Sequence, residues 1–370
     1  MTPYSELSGK RSINLSILLV VCLVACIGFV MLYYAADESF SPWSYKQIIR
    51  FSGALVLLCL IAVVDLRFWF SISYVVYALC LVLLVAVEIA GKVGMGAQRW
   101  IDLYVIVVQP SELMKIALLM ALARYFHTLP PGDIKKIRSL LPPATMVIVP
   151  SLLMLRQPDL GTMLILVGAG FSIFFVAGMR TWKILLLVGA ALVASPLFWM
   201  GMHDYQRKRI LTFLDPERDP LGSGYHILQS KIALGSGGVW GKGLGHGSQS
   251  HLNFLPEKQT DFIFSMLCEE TGIVGGAVLI FLYLILLTYG FRVSLLSRSA
   301  FGRFLSVGLT TLLFLSAFVN MAMVMGLAPV VGIPLPLVSY GGTAMMTFMM
   351  GLGLLMATSV HRHARFGRTA

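Results

Sequence analysis

Uncharged apolar runs of bilayer-spanning length recur along the whole of this chain, and no other property restricts its fold so strongly. A helix needs about 20 such residues to cross the hydrocarbon core, where every backbone N–H and C=O must be paired within the protein. Helices, not a barrel, are the solution that suits these runs. They predict an all-α polytopic membrane protein of about ten transmembrane helices, at 13–35, 47–64, 68–87, 112–126, 140–156, 160–178, 183–202, 262–290, 304–326 and 341–360. The first run is too long for a signal-peptide core and no Ala-x-Ala site follows it, so it is expected to be retained. With 58% hydrophobic and only 12% charged residues, the chain is expected to be a single integral membrane domain over 1–370, without a soluble domain at either end.

Ten spans place both ends on one side, and the cations decide which. With the N-terminus inside, the inner segments hold Lys10, Arg11, Arg67, Arg124, Lys135, Lys136, Arg138, Arg180, Lys183, Arg292, Arg298, Arg303, Arg362, Arg365 and Arg368. The short outer segments hold Lys46, Arg50, Lys92, Arg99, Lys115 and Arg156, so an N-in/C-in orientation is predicted. The other seven cations, Arg207, Lys208, Arg209, Arg218, Lys231, Lys242 and Lys258, fall in one large extracytoplasmic loop, 202–261, between helices 7 and 8. A loop of that length is excused from the charge rule, and long loops on a rigid scaffold usually carry function. The net charge of +11 therefore reads as topology and contact with phosphate-bearing membrane lipid, not nucleic acid. Cys22, Cys26, Cys59, Cys80 and Cys268 lie in or beside apolar runs without CxxC spacing, which argues against a disulfide framework or a zinc site. No fixed-period repeat and no matched pair of Gly/Pro-broken helices is visible, which counts against alternating access.

Chemistry concentrates on the outer side. Glu257 and Asp261 stand at the mouth of the eighth helix. Two roles fit Asp261: a cap for that helix, or a general base on an attacking hydroxyl. Glu257 reads as a second carboxylate or a solvated loop charge. Tyr225, Leu228 and Ile232 mark a short amphipathic helix on the membrane surface or against the bundle. In the second outer loop, from Glu88 to Ser111, Ser111 reads as the cap of the fourth helix, and Glu112 and Lys115 share one of its faces. They form either a helix-end ion pair or the wall of a wet cavity, since an ionisable residue at Lys115's depth generally faces the bundle interior. Arg99 clamps a diphosphate or anchors at the interface. Asp159, in Gln157-Pro158-Asp159-Leu160-Gly161, is either the cap of the sixth helix or part of an internal polar network, the cap being the simpler reading.

The run Asp204 to Arg209 suits lipid phosphates or a solvated loop start. Gly241-Lys242 is followed by Gly243, not Ser or Thr, so the glycine-rich stretch is no nucleotide loop, and His246, His251 and Glu257 lack zinc spacing. The His361-Arg362-His363 tail reads as a topology signal. Pro334, Pro336, Ser339, Gly341 and Gly342 should break the chain before the tenth helix and leave backbone groups for protein or water to satisfy.

Taken together, GAQRW, QPSELMKIA, QPDLGT, HDYQRKR, LDPERDPLGSGYHILQSKIALGSGG, FLPEKQTDFIF, EETG and PVVGIPLPLVSYGG resemble the SEDS family (shape, elongation, division and sporulation) over nearly the whole chain. Val331-Gly332-Ile333-Pro334 is similar to its elongation branch; the division branch tends to carry Thr-Lys-Gly there. The resemblance implies a ten-helix peptidoglycan glycosyltransferase that polymerises lipid II in the bacterial inner membrane. Transfer would be inverting, with undecaprenyl diphosphate leaving on the periplasmic side. It maps the base on the acceptor's 4-hydroxyl to Asp261, and substrate-binding roles to Arg99, Glu112, Lys115 and Asp159, with Gln229, Lys231 and Ser339 behind them and Arg207 from the lipid-phosphate cluster. It also implies a class B penicillin-binding protein as transpeptidase partner, beside other membrane proteins of the elongation machinery. Gln259, where relatives often have His, is then no required proton carrier, and Thr343 keeps the hydroxyl of the usual Ser. No metal ligand set is read from the residues; a divalent cation such as Mg2+ on the leaving diphosphate is chemically reasonable. A lipid II flippase or a non-catalytic scaffold are the rival readings. The outer placement of Arg99, Lys115, Arg207 to Arg209 and Asp261 favours the enzyme, because a transporter should also offer cavity charges deeper in the bundle.

Overall fold

The computed structural model describes residues 13–94, 97–102, 107–130, 132–180, 182–183, 186, 189, 193, 196, 199–200, 204–215, 222–252, 254–255, 257–364 and 367. The expected seventh span lies mostly outside the described residues, as do Lys10, Arg11, Arg218, Arg365 and Arg368. The helices are α1 (Leu15–Ala35), α2 (Trp43–Val63), α3 (Leu66–Ala90), α4 (Pro110–Thr128), α5 (Leu141–Arg156), α6 (Leu160–Val176), α7 (Asp204–Leu214), α8 (Ser223–Ser236), α9 (Ser248–His251), α10 (Ile263–Leu296), α11 (Ala300–Val324) and α12 (Gly342–Val360). Among the described residues, seven stretches are long and apolar enough to cross a membrane: α1, α2, α3, the stretch Arg138–Arg156 that contains α5, α10, α11 and α12. α6 is a shorter apolar helix, and α4 occupies the expected fourth span.

α4 sits at the centre because it must. It carries Glu112, Lys115 and His127, which lipid would not tolerate, and nearly all of its residues are buried. It packs on α3, α6, α11 and α12, while α2 packs along α12 and α10 along α11 and α1. α11 and α12 are inner helices as well; α3 and α5 turn most of their surface outward to the place lipid would occupy.

Two segments depart from plain helix. Between α11 and α12, Ile333, Leu335, Leu337 and Val338 are buried without forming a helix, as the prolines and glycines there predict. Backbone of this kind persists inside a membrane protein only where protein satisfies it, and here the Tyr283 hydroxyl donates to the Pro336 carbonyl while Gln47 Nε2 donates to the Ser339 carbonyl at 2.9 Å. The second departure is a kink in α10 at Gly272 (φ 70°, ψ −168°). Residues 238–243 dock into that break: Lys242 and Gly243 N–H donate to the Glu269 and Glu270 carbonyls, and Ile273 N–H donates to the Gly238 carbonyl. A Cβ on Gly272 would stand 2.3 Å from the Val239 carbonyl oxygen, so only glycine fits.

Candidate active site

The loop expected as 202–261 is largely ordered around α7, α8 and α9. α8 carries the amphipathic pattern, and its apolar stripe faces outward, as the membrane-surface reading of this helix requires. Ile227, Ser230 and Ala233 are buried, whereas Leu228 and Ile232 are exposed. The Ser230 hydroxyl lies 2.6 Å from that of Ser265 and donates to the Val324 carbonyl at 2.8 Å, so a polar contact, not the Leu228–Ile232 stripe, seats α8 on α10 and α11.

At the mouth of α10, residues 257–262 form a tight turn. The Glu257 carbonyl accepts from the Thr260 N–H at 3.0 Å, and its carboxylate accepts from the Thr260 hydroxyl at 3.1 Å. Asp261 is not a cap: α10 starts at Ile263 after Phe262, and no side chain caps it. The structure fixes the main chain of this turn on both sides. Asn320 Nδ2, from α11, donates to the Asp261 carbonyl at 2.9 Å and to the Ile333 carbonyl at 2.7 Å. Ser339 Oγ donates to the Thr260 carbonyl at 2.6 Å and accepts from the Leu335 N–H at 2.8 Å, and the Tyr340 N–H donates to the Gln259 carbonyl at 2.8 Å. Among the described residues nothing donates to the half-buried carboxylate of Asp261. Burial pushes its pKa up to about 6; the nearby Glu257 adds to the rise, and Arg209 opposes it.

The second of the two expected outer loops contains a three-stranded antiparallel sheet that the apolar pattern did not signal: β1 (Lys92–Gly94), β2 (Ala97–Asp102) and β3 (Val107–Val108). β2 presents Arg99, whose guanidinium donates to the Gln157 carbonyl at 3.0 Å and to the Pro158 carbonyl, and pairs with Asp159 at 3.8 Å. Asp159 occupies the cap position of α6 but does not cap it with its side chain. Its carboxylate instead accepts from Gln109 Nε2 and Ser111 Oγ, each at 3.3 Å, so the internal network is the correct reading. Ser111 is no cap either, because α4 begins one residue earlier at Pro110 with Gln109 at the cap position. Its hydroxyl is used on Asp159. Just inside, Lys115 Nζ pairs with Glu112 Oε1 at 2.8 Å; the residues are 3% and 5% exposed. The ammonium lies 5.5 Å from the Phe348 ring centroid, and Glu112 Oε2 is buried without a hydrogen bond. Burying an ion pair stabilises little or nothing relative to apolar side chains of the same volume, so this pair points to function.

The two groups meet through backbone. A Cβ on Gly161, in the first turn of α6, would stand 2.9 Å from the Val331 carbonyl, and one on Gly332 would stand 3.6 Å from Asp261 Oδ2. The segment 331–333 therefore lies between the Arg99–Asp159 network and the Asp261 turn. Arg207 donates to the carbonyls of Trp199 and Met200 at 2.9 and 2.7 Å. Lys231 extends over Gly326 at the end of α11, and Gln229 is half-buried on α8.

Sequence reasoning missed four residues that organise the site. Asn320 and Gln47 tie the 331–341 segment to the Asp261 turn and to α2, and single polar residues inside apolar runs were the available signal. Glu269 and Glu270 were a stronger one: two adjacent carboxylates inside an apolar run. Glu269, wholly buried, accepts from Lys242 Nζ at 2.7 Å, the Gln249 N–H at 2.9 Å and the Ser250 N–H at 3.2 Å. Glu270 accepts from the Gly245 N–H at 3.2 Å and lies 3.3 Å from His251 Nε2, whose other ring nitrogen lies 3.2 Å from Asp37. His251 is thus a bridge between the loop, α10 and the end of α1.

The family model for FtsW, RodA and SpoVE cell cycle proteins matches residues 14–364. The chain is 41% identical over 349 residues to the peptidoglycan glycosyltransferase MrdB of Escherichia coli K12, covering 93% of each chain. It is 35% identical over 369 residues to the stage V sporulation protein E of Bacillus subtilis, covering 96% and 99%. Among solved structures it is similar to a chain of a peptidoglycan synthase complex that coordinates polymerization and crosslinking, with a TM-score of 0.82, 30% identity and coverage of 96% of this chain and 99% of that one. It is also similar to the Thermus thermophilus rod shape determining protein RodA, with a TM-score of 0.73, 27% identity and the same coverage.

Proposed function

Because the chain belongs to the FtsW, RodA and SpoVE family of cell cycle proteins, we propose that it is a multi-pass membrane glycosyltransferase that polymerises peptidoglycan during cell elongation. The observation that carries the chemistry is Asp261: a carboxylate to which nothing donates among the described residues, held on a main chain that hydrogen bonds fix from both sides. We assign it as general base. The acceptor's 4-hydroxyl attacks the anomeric carbon of lipid II, the bond from that carbon to the phosphate oxygen breaks, and undecaprenyl diphosphate leaves with the electron pair. The hydroxyl proton passes to Asp261, and the anomeric carbon inverts. A base with a pKa near 6 is ionised at neutral pH and still accepts a proton better than an ordinary carboxylate. Arg99, Lys115 and Arg209 supply positive charge to the diphosphate, and the buried Glu112–Lys115 pair can release its ammonium to an incoming anion.

The sequence supports placing this site on the periplasmic face of the inner membrane, with both termini inside. The kinship to a synthase-complex chain supports a transpeptidase partner, a class B penicillin-binding protein. Among the described residues no three His, Cys, Asp or Glu side chains converge on a metal position, so a divalent cation would be held mainly by the diphosphate's own oxygens. The deciding experiment is lipid II polymerisation by the purified chain with its partner's transpeptidase blocked, wild type against Asp261→Asn. Polymer from the wild type and none from a folded variant supports the assignment. No polymer from either, despite lipid II binding, overturns it in favour of a flippase or scaffold.

A further inference from the structure

At the end of the bundle opposite Asp261, a cavity of about 530 Å³ opens between the start of α1, the last turns of α10 and the residues after α12. α10 has 34 residues, so at 1.5 Å per residue this end lies roughly 40 Å from Asp261, and the cavity is no part of the site described above. Its volume falls in the range of small-molecule sites, about 300–1,000 Å³. Arg292 from α10 and Arg362 from beyond α12 line it, with Thr288 and Ser16 as further polar groups. Phe281 and Leu284 also line it and are 62% and 53% exposed on the lipid-facing side of α10, so the cavity opens sideways into the bilayer.

Among the described residues, neither arginine has an acidic partner. No Asp or Glu lines the cavity, and among the described residues neither guanidinium forms an ion pair; Arg362 Nε donates only to His363 Nε2, at 3.2 Å. A topology signal would need only that arginines sit in the inner loops. Here two of them come from separate chain segments to one apolar-walled concavity, and the Arg298 N–H donates to the Arg362 carbonyl at 2.9 Å, holding those segments together. Low-dielectric walls concentrate the field of such a pair. The chain's own preceding residues are a poor occupant, since they carry Lys10 and Arg11 against Glu6.

We propose that this cavity binds one anionic phospholipid from the adjoining leaflet, its phosphate on Arg292 and Arg362 and its acyl chains along Phe281 and Leu284. The test uses the full chain in mild detergent. Phosphatidylglycerol or phosphatidylcholine with the same acyl chains is titrated in, and bound lipid is read by native mass spectrometry. The wild type should prefer phosphatidylglycerol. The double variant Arg292→Gln with Arg362→Gln should bind it about fivefold more weakly for each arginine removed, with phosphatidylcholine unaffected, and Lys at both positions should keep the preference. Polymerisation activity equal to wild type verifies that the double variant is folded. Thr288→Trp fills the cavity while leaving both arginines and should lower phosphatidylglycerol binding, which keeps the test decisive if the double variant does not fold. Unchanged phosphatidylglycerol binding in the folded variants overturns the proposal. So does displacement of the lipid by millimolar inorganic phosphate, which would make this a free-anion site.

Discussion

Asp261 combines a fixed main chain with a carboxylate that no described residue donates to, and its protonation should be visible in both rate and stability. As a base it works only when ionised, so kcat/KM for polymerisation should fall as pH drops through about 6, and a pH profile checks this. Asp261→Asn should lower kcat by about 10²- to 10⁴-fold. Stability runs the other way. The folded-state pKa lies above the ordinary 3.8, so this group's stabilising contribution is complete below that value and is lost as pH rises through about 6. Asp261→Asn should therefore raise thermal stability at neutral pH, by on the order of 1–2 kcal/mol after allowing for solvent screening at a half-buried group. A variant both inactive and less stable would contradict the assignment. The sequence made Asp261 a candidate by its place at a helix mouth; only the position of the α10 start removed the cap reading.

The elements around Asp261 act as a jig. Asn320→Ala removes the amide that joins the 257–262 turn to the 331–333 segment and leaves two carbonyls with a lost partner. Its kcat should drop roughly 10- to 100-fold while KM changes less, because a displaced base harms the transition state more than substrate binding. Steady-state polymerisation kinetics separate the two. Gly272→Ala meets the Val239 carbonyl and the Gly241 N–H at once, in a backbone conformation that L-residues avoid. It should destabilise the protein by about 3 kcal/mol or more, seen as a fall in the unfolding midpoint in detergent and as faster proteolysis of residues 237–258. Most helix positions were legible as apolar runs. The three short strands around Arg99 were not, because they pair over too few residues to leave a periodic pattern.

At the scale of the molecule, the catalytic reading requires the ordered loop to face outward and the chain ends inward. In a background without native cysteines, a cysteine at Ser248 should react with a membrane-impermeant maleimide added to intact spheroplasts, and one at His363 only after the membrane is opened. The reverse pattern would place Asp261 on the wrong side for periplasmic polymerisation. The arginine-lined cavity and Asp261 lie at opposite ends of α10, so their variants should act independently.

The sequence by itself determined that this chain is a membrane helix bundle. Hydrocarbon forbids unpaired backbone, and only apolar runs of the right length can be buried in it. It also offered Arg99, Glu112, Lys115, Asp159 and Asp261 as site candidates beside plainer readings as an interface anchor, an ion pair or helix caps, and the family resemblance added Ser339. Which of them work together was decided by tertiary structure alone. Asp159 turns from its helix to Arg99, Ser339 grips the turn that carries Asp261, and Arg207 donates to the Trp199 and Met200 carbonyls. Glu269 and Glu270 gather a glycine-rich loop from more than twenty residues upstream, as the Lys242–Glu269 contact shows. Polarity inside an apolar run can be read one residue at a time, but partners distant in sequence are chosen by packing, and no local pattern records them.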